Sequence, residues 1–204
     1  MIKNIIFDIG QVLAHFRWRE YIEELGFSKE INERLANATV LSVNWNEVDR
    51  GVKTPTEFIE LCISVDPEIE QQIRKFFEDT SNIVVEFDYS KDWLLELKKQ
   101  GYHIYILSNY GEINYTHVKD KFTFLQYVDG AVISYQEKCI KPEKRIYEIL
   151  LNRYQLNADE CVFIDDLKAN VLGAQEFGIH TIQFHNMEQA KKELGVLIDG
   201  EHNI

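Results

Sequence analysis

The stretch Cys161-Val162-Phe163-Ile164-Asp165-Asp166 is a short apolar run that ends in two carboxylates. A second run of the same kind, Asn4-Ile5-Ile6-Phe7, ends at Asp8. Short apolar runs closed by a polar break are typical of buried strands in parallel sheets. Because ligands bind at the carboxyl ends of the strands in an open α/β sheet, we expect the three carboxylates to lie at one edge.

This pattern predicts a site for a hard divalent cation. Mg²⁺ prefers oxygen ligands, and it commonly binds through one or two carboxylates, several waters and a substrate phosphate. Two strands that deliver Asp8, Asp165 and Asp166 to one edge of a sheet would supply the protein part of such a site.

Two further polar positions lie between these strands in the chain. The run His103–Leu107 predicts a strand that stops at Ser108-Asn109, and Lys141-Pro142 is expected to open a helix. Because a helix N-terminus carries a partial positive charge, Lys141 is predicted to point toward an anion. Each piece alone is a weak signal, whereas four pieces in this order at strand ends form a strong one.

The ordered set resembles the haloacid dehalogenase-like (HAD) superfamily, which carries four motifs in this order. The matching segments are Phe7–Leu13, Ile106–Asn109, Lys141–Glu143 and Phe163–Asp166, with Asn170 after the last. The resemblance covers nearly the whole chain, although the block from residue 16 to 85 matches only in being helical. It implies an α/β fold with a three-layer Rossmann-like parallel sheet and an inserted helical cap. It also implies Mg²⁺-dependent hydrolysis of a small phosphorylated metabolite.

The resemblance implies the catalytic roles. Asp8 would be the nucleophile that forms an aspartyl-phosphate, and a residue that merely caps a turn is the alternative. Ser108 would donate to phosphate oxygens, with Asn109 and Tyr110 beside it as substrate-binding candidates. Lys141 would neutralise the negative charge of the nucleophile and the phosphate.

The resemblance also implies the metal ligands. Asp8, Asp166 and the backbone carbonyl of Gly10 would bind Mg²⁺ directly. Asp165 would lie behind them and orient a water or the lysine, although the order of the two adjacent aspartates stays open. Asn170 matches a supporting position of the family, and an ordinary helix residue is its alternative.

One position departs from the usual pattern of HAD phosphatases. Their first motif generally reads Asp-x-Asp, and the second Asp supplies and removes protons, whereas this chain has Gly10 there. General acid–base help is typically worth about 10²–10⁴-fold. Three explanations stay open: a substrate with a good leaving group, a substitute (His15, a cap residue or water), or binding without catalysis. The chain resembles a bacterial branch with Asp-x-Gly-x-Val in the first motif and Ser-Asn in the second, whose members are regarded as phosphatases of sugar phosphates. This resemblance makes binding without catalysis the least favoured explanation and implies a sugar phosphate as the substrate.

Other functions on the same fold stay open as alternatives. The L-2-haloacid dehalogenases also lack the second Asp, but they use no metal and lack the Asp-Asp pair. Because paired carboxylates without a cation repel each other, Asp165-Asp166 favours Mg²⁺ and phosphate over halide. A phosphomutase and a non-catalytic phospho-ligand or protein-binding module are the remaining alternatives.

The chain is predicted to form a core with one insertion. Residues 1–15 and 86–204 are predicted to be the αβ core, because helices alternate there with short strands. Beyond the first strand, these are expected at 103–107, 130–133, 161–164 and 180–184. Residues 16–85 are predicted to be a helical cap, in which only Thr39–Val43 resembles a strand.

A cap that closes over a site excludes water and supplies substrate contacts. Trp18, Trp45 and Arg50 are therefore further candidates, with His15 at the hinge. For each aromatic residue, ordinary packing is the alternative.

Composition limits the possible partners. The chain has 204 residues and a formal net charge of −12, which argues against nucleic acid because phosphate backbones need a basic surface. No apolar run approaches the roughly 18 residues that a membrane span needs, and no signal-peptide pattern is present. The three cysteines form no CxxC pair, which predicts reduced thiols and a cytoplasmic location. The sequence does not predict the oligomeric state.

Overall fold

The computed structural model describes residues 1–200, and a five-stranded parallel sheet forms its centre. The strands of this part of the chain are β1 (Asn4–Phe7), β2 (Ala14–Phe16), β3 (Val84–Glu86), β4 (His103–Ser108), β5 (Gly130–Ile133), β6 (Cys161–Asp165) and β7 (His180–Gln183). The sheet has the order β5-β4-β1-β6-β7, and every neighbouring pair is parallel. The predicted α/β fold is confirmed, and each predicted core strand matches within one residue.

Helices follow the strands along the chain. Their bounds are α1 (Trp18–Glu24), α2 (Lys29–Ala38), α3 (Trp45–Arg50), α4 (Pro55–Val65), α5 (Glu70–Glu78), α6 (Ser90–Lys99), α7 (Glu112–Val118), α8 (Ser134–Glu137), α9 (Lys144–Tyr154), α10 (Lys168–Gln175) and α11 (Met187–Gly200). The expectation that Lys141-Pro142 opens a helix is wrong, because α9 begins only at Lys144. The chain first makes a turn, in which the Glu143 N–H donates to the Ile140 carbonyl at 2.8 Å.

Helices cover both faces of the sheet and give it three layers. Successive strand residues point to opposite faces. In β1, Ile5 and Phe7 pack in one apolar cluster with Trp93 of α6, whereas Ile6 packs in a second cluster with Tyr147 of α9. Because both of their faces are buried, the central strands β1 and β6 contain nearly continuous apolar runs without polar alternation.

Five helices, α1–α5, lie between β2 and β3, which pair with each other as an antiparallel ribbon. The outgoing segment, β2, and the returning segment, β3, therefore lie side by side. The predicted boundaries after residues 15 and 85 fall inside this ribbon, because three-residue strands are too short to give a pattern. The division into a core of 1–15 and 86–204 and a cap of 16–85 stays a prediction.

Local signals placed one cap helix correctly and one segment wrongly. Thr54 and Glu57 form the expected capping box at the start of α4, with the Thr54 N–H donating to Glu57 at 2.8 Å. The interpretation of Thr39–Val43 as a strand is wrong, since the segment forms turns after α2. The Thr39 hydroxyl donates to the Leu35 carbonyl at 2.6 Å, and the Thr39 N–H donates to the same carbonyl at 3.0 Å, at the end of that helix.

Within residues 1–200, no helix combines the length and the apolar character that crossing a membrane requires. The cysteines Cys62, Cys139 and Cys161 are free and buried. Burial raises the pKa of the Cys62 thiol to about 12, so this thiol stays protonated and unreactive at neutral pH. The cytoplasmic location stays a prediction.

Candidate active site

Two carboxylates lie side by side, in register, at the carboxyl edge of the sheet. Phe7 of β1 pairs with Ile164 of β6 in parallel register. The next residue in each strand is an aspartate, Asp8 or Asp165. The Asp8 N–H donates to the Ile164 carbonyl at 3.0 Å, which extends the ladder to the end of the strands. The register therefore brings together two carboxylates that are far apart in the chain.

Three donors surround one oxygen of Asp8. Its Oδ1 accepts from Ser108 Oγ at 2.6 Å, from the Ile9 N–H at 2.8 Å and from Lys141 Nζ at 2.9 Å. Burial raises the pKa of this carboxyl above its ordinary value, and the charge of Lys141 offsets that effect only in part. Further positive charge at the site would therefore favour the ionised form that a nucleophile requires.

Lys141 is a buried cation shared between two carboxylates. Its Nζ lies 2.7 Å from Asp165 Oδ2 and 2.9 Å from Asp8 Oδ1, and it donates to the Leu107 carbonyl at 2.9 Å. Burial alone would lower the pKa of Lys141, but the charges of Asp165 and Asp8 outweigh burial and raise it. The side chain therefore stays charged, although it is not held by a helix N-terminus.

Asn109 positions Lys141 through its backbone. The Asn109 amide donates to the Lys141 carbonyl at 3.0 Å, and its Oδ1 accepts from the Lys141 N–H at 2.8 Å. These two hydrogen bonds join the end of β4 to the turn before α9. The structure therefore shows Asn109 holding the lysine, while substrate binding by this side chain stays a prediction.

The adjacent aspartates have different environments. Asp165 is fully buried, and its carboxylate accepts from Lys141, from the Leu167 N–H at 2.8 Å and from Asn170 Nδ2 at 3.0 Å to each oxygen. Asp166 is only partly buried. Asp165 is thus occupied by protein donors, which suits a residue that orients the lysine, and Asp166 is the freer carboxylate.

The carboxylates fit a hard cation. Oxygen atoms of Asp8, Asp165 and Asp166 all lie within 4.8 Å of one another. Burial, and then the charges of Asp8 and Asp165, raise the pKa of Asp166 to about 7. Such mutual repulsion is what a divalent cation removes, and carboxylates are ligands that Mg²⁺ accepts.

A small pocket of about 120 Å³ adjoins this cluster. Its walls come from the first strand's loop, the ribbon, the cap and the segment after β4, namely Gly10, Phe16, Trp45, Asp49, Val84, Asn109, Tyr110 and Asn114. The pocket therefore lies between core and cap elements.

The pocket contains some of the predicted contact residues and not others. Tyr110 and Trp45 line it. The ring of His15 stacks on Phe87, with centroids 5.9 Å apart, and is not part of the wall. Because side chains alternate along β2, the neighbour of His15, Phe16, faces the pocket instead. The predicted role of His15 in substrate binding stays a prediction.

The remaining cap candidates also lie outside the wall. Trp18 lies under the guanidinium of Arg19, 4.1 Å from the ring centroid. Arg50 forms an ion pair with Glu143 at 2.5 Å. Neither side chain is part of the pocket wall.

Sequence analysis did not identify Asp49 or Asn114. Burial, and then the charge of Asp8, raise the pKa of Asp49 to about 7, while Lys141 and the Gly111 N–H oppose the rise. Asn114 is 4% exposed, and its Oδ1 has no hydrogen-bond partner among the described residues. The chain has 34 acidic residues, and no local pattern separates Asp49 from the others.

Close backbone approaches dock α3 on the core. A Cβ added to Gly111 would lie 2.7 Å from Val48 Cγ2, and one added to Gly51 would lie 2.4 Å from the Tyr135 carbonyl oxygen. Lys138 Nζ donates to the Gly51 carbonyl at the end of the helix. These contacts place Asp49 at the pocket, because α3 lies against the segments after β4 and β5.

Gly111→Ala is expected to cost about 1–3 kcal/mol of stability, since the new methyl would overlap the buried Val48 side chain. Urea unfolding would measure this cost. Gly10→Ala is the matched control, because its added methyl would have only Asp8 Oδ2, at 4.0 Å, within reach among the described atoms. Equal stability of the two variants would contradict the tight docking of α3.

A family model described as haloacid dehalogenase-like hydrolase matches residues 2–178 of the chain. Two curated relatives that match most of the chain carry phosphatase names. The D-ribitol-5-phosphate phosphatase of Bacteroides thetaiotaomicron is 27% identical over 216 residues, covering 98% of this chain and 100% of that protein. The sesquiterpene phosphatase astK of Aspergillus oryzae is 26% identical over 177 residues, covering 87% of each.

Solved structures match over a similar range. A HAD family enzyme from Bacteroides thetaiotaomicron, in complex with magnesium and inorganic phosphate, has a TM-score of 0.71 and 27% identity, covering 91% of this chain and 95% of that one. An L-2-haloacid dehalogenase from Xanthobacter autotrophicus has a TM-score of 0.64 at 16% identity, covering 95% of this chain and 82% of that one, which shows a shared fold alone. The family model, the sheet and the ordered polar residues at its carboxyl edge agree, and the chain belongs to the haloacid dehalogenase-like hydrolase family.

Proposed function

We propose that this protein hydrolyses a small phosphate monoester, a sugar or sugar-alcohol phosphate, in a Mg²⁺-dependent reaction through an aspartyl-phosphate on Asp8. The observation that carries the proposal is the arrangement around Asp8. A buried lysine and a serine hydroxyl contact one of its oxygens, and two further carboxylates lie within reach of a shared cation. Phosphoryl transfer depends mainly on positioning and charge stabilisation, and this arrangement supplies both.

The chain's own residues divide the reaction between them. Asp8 attacks phosphorus in line, the bond from phosphorus to the leaving oxygen breaks, and an acyl phosphate forms on Asp8. Water then attacks that phosphorus and returns Asp8 to a carboxylate. Ser108 donates to a phosphate oxygen, and Lys141 offsets the negative charge that collects between Asp8 and the phosphate.

Asp8, Asp166 and the Gly10 carbonyl would hold Mg²⁺, with Asp165 orienting Lys141 behind them. Bound Mg²⁺ supplies charge stabilisation for the phosphoryl oxygens. The magnesium and phosphate bound to the Bacteroides thetaiotaomicron enzyme support this assignment.

Unpaired polar atoms in the pocket wall support a hydroxyl-bearing substrate. Tyr110 Oη and Asn114 Oδ1 are buried without a hydrogen-bond partner among the described residues. Burial, and then the charge of Asp49, raise the pKa of Tyr110 well above its ordinary value, so its phenol remains a donor. A buried donor and a buried acceptor without partners are costly unless a ligand satisfies them, and a polyol offers both functions. The relative named D-ribitol-5-phosphate phosphatase points to the same substrate class.

Phosphate release from a panel of sugar, sugar-alcohol, acyl and aryl phosphates, with Mg²⁺ and with EDTA, tests the proposal. We expect release that depends on the metal. Chloride release from 2-chloropropionate would indicate a dehalogenase, and return of the phosphoryl group to a different position of the substrate would indicate a mutase. Binding of phosphate esters without any turnover would overturn the hydrolase proposal in favour of a binding module.

Mg²⁺ is expected to stabilise the protein through Asp166. The raised pKa means that the folded, metal-free protein binds this proton more tightly than the unfolded chain, so its stability falls as pH rises from about 4 to about 7. A saturating cation, at about 100 times its Kd, adds about 2.7 kcal/mol, which is about 5–10 °C in Tm for a chain of this size. Thermal unfolding at about pH 8 should show this gain, and at about pH 5 the gain should be smaller because protons compete with the metal.

Asp166→Asn separates the metal effect from general stabilisation. The variant should be at least as stable as wild type without metal, because a repelling charge is gone, and Mg²⁺ should then add little. Asp159→Asn, an exposed aspartate outside the cluster, is the matched control and should keep the full gain. An undiminished Mg²⁺ effect in Asp166→Asn would exclude this residue as a ligand.

A further inference from the structure

The position that follows the nucleophile by two residues has an open space beside it. A Cβ built on Gly10 would have Asp8 Oδ2 as its only described neighbour within 4 Å, at 4.0 Å. The Gly10 backbone does not lie in the left-handed region, so a side chain would be allowed there. Apart from the two chain neighbours of Gly10, the space next to the Asp8 carboxylate is therefore open on this side.

A different segment of the chain supplies a carboxylate to the pocket beside Gly10. Asp49 of α3 shares the pocket wall with Gly10, Asn109 and Tyr110. The Gly111 N–H lowers the pKa of its carboxyl, and α3 is fixed by the Gly111–Val48 and Gly51–Tyr135 approaches. Asp49 is partly buried. The charges that act on its carboxyl are those of Asp8 and Lys141, which lie together at the edge of the sheet.

We propose that Asp49 is the general acid and general base of the reaction, in place of the side chain that Gly10 lacks. The inference rests on the proposed phosphatase function and adds a catalytic residue to it. The role of Asp49 also accounts for the composition of the pocket wall. Tyr110 and Asn114 can bind hydroxyl groups of the substrate, and Asp49 can donate a proton to the oxygen that leaves phosphorus.

The proton balance closes within the pocket. When the bond between phosphorus and the leaving oxygen breaks, the protonated Asp49 gives its proton to that oxygen, and an alcohol departs. When water attacks the acyl phosphate on Asp8, the Asp49 carboxylate accepts a proton from the water, and inorganic phosphate leaves. A carboxyl group can serve both steps, because its protonated form donates a proton and its ionised form accepts one.

Other groups near the pocket suit this role less well. Tyr110 is a buried phenol whose pKa is raised, so it is a poor base for the second step. His15 stacks on Phe87 and is not part of the pocket wall. Asp49 is the ionisable wall residue that can take part in both proton transfers.

The dependence of the rate on the leaving group tests the proposal. Full-length Asp49→Asn protein is compared with wild type on a sugar-alcohol phosphate and on p-nitrophenyl phosphate, with Mg²⁺ present. The alkyl ester needs a proton on its leaving oxygen, so its turnover should fall by about 10²–10⁴-fold. Nitrophenolate leaves without a proton, so its first turnover should stay fast, while the later attack by water slows.

The expected signature is a burst of nitrophenolate equal to the enzyme concentration, followed by slow steady-state release. A burst shows that Asp8 still reacts and that the second step has become limiting. Gly10→Asp in the Asp49→Asn background should restore at least part of the alkyl-ester rate, because the open space beside Asp8 then receives a carboxyl group.

Two controls separate catalysis from folding. Glu47→Gln makes the same carboxylate-to-amide change on α3, outside the pocket wall, and should leave both rates unchanged. Asp49→Asn keeps an acceptor for the Gly111 N–H, and its Tm should match that of wild type. If Asp49→Asn fails to fold, Asp49→Ser serves as the second variant.

Unchanged alkyl-ester turnover, or an equal loss on both substrates without a burst, would overturn the role of Asp49. Neither result affects the proposed function, which stands on metal-dependent turnover by wild type and its loss in Asp8→Asn. Absence of turnover by wild type would overturn the proposed function itself. Wild-type turnover is therefore measured before any Asp49 variant is tested.

Discussion

Asp8→Asn is expected to lower phosphate release by about 10⁴-fold or more, because an amide cannot form the acyl phosphate on which turnover depends. The replacement has nearly the same volume and keeps an oxygen that can accept from Ser108 and Ile9. Lys141 retains its ion pair with Asp165. The variant should therefore fold, and the loss should lie in chemistry rather than in structure.

Trapping of the phosphoenzyme checks this explanation directly. Wild type quenched with acid during turnover of a labelled substrate should retain phosphate on the protein, and Asp8→Asn should retain none. Asp88→Asn, an exposed aspartate just before α6, is the matched control and should behave as wild type. Substantial turnover by Asp8→Asn would remove Asp8 from the nucleophile role and refute the aspartyl-phosphate mechanism.

Lys141→Met is expected to cost about 3–5 kcal/mol of stability, since it leaves two buried carboxylates without their shared cation. For a domain of this size the cost corresponds to a fall of about 6–20 °C in Tm. Activity should also be lost, because the charge between the nucleophile and the phosphate is no longer offset. Denaturant unfolding measures the first effect and phosphate release the second.

The pH dependence identifies the cause of this instability. Without the lysine, burial should raise the pKa of Asp8 further, so the folded state binds more protons than the unfolded chain. The variant should therefore regain stability as pH falls, down to the pKa values of the unfolded carboxyls near about 4. A loss independent of pH would instead indicate a packing defect.

Two companion variants complete the comparison. Lys144→Met removes a largely exposed lysine, 74% accessible and paired with Glu176, and should cost well under about 1 kcal/mol. Lys141→Met combined with Asp165→Asn should recover part of the lost stability without activity, because one unpaired buried charge is then removed together with its partner.

The sequence alone was sufficient to predict the sheet and the residues at its edge. Strands of four to six buried residues give continuous apolar runs, and the polar residue that ends each run is visible without any tertiary information. The rule that ligands bind at the carboxyl ends of parallel strands then predicted that Asp8, Ser108 and Asp165 share an edge. The structure brings these residues together, with Lys141 between them.

Features that depend on packing between distant segments had no sequence signal. The hydrogen bonds from Leu167 and Asn170 distinguish Asp165 from Asp166, although the two are chemically identical neighbours in the chain. The turn before α9, not a helix N-terminus, holds Lys141. In each case the environment of a side chain depends on donors that the fold supplies.

The cap shows this limit most clearly. Its helices were predicted from local signals, yet the position of α3 depends on close approaches to Gly111 and to the Tyr135 backbone, which lie in other segments. Asp49 of α3 and Asn114 of α7 became candidates only once the packing of α3 against the core brought both into the wall of a pocket beside Gly10. Sequence by itself determined the strands, their polar ends and the family, because those depend on short-range pattern and order. Tertiary structure alone decided that Trp45 and Asp49 of α3 line a pocket beside Gly10, because that depends on how one surface packs against another.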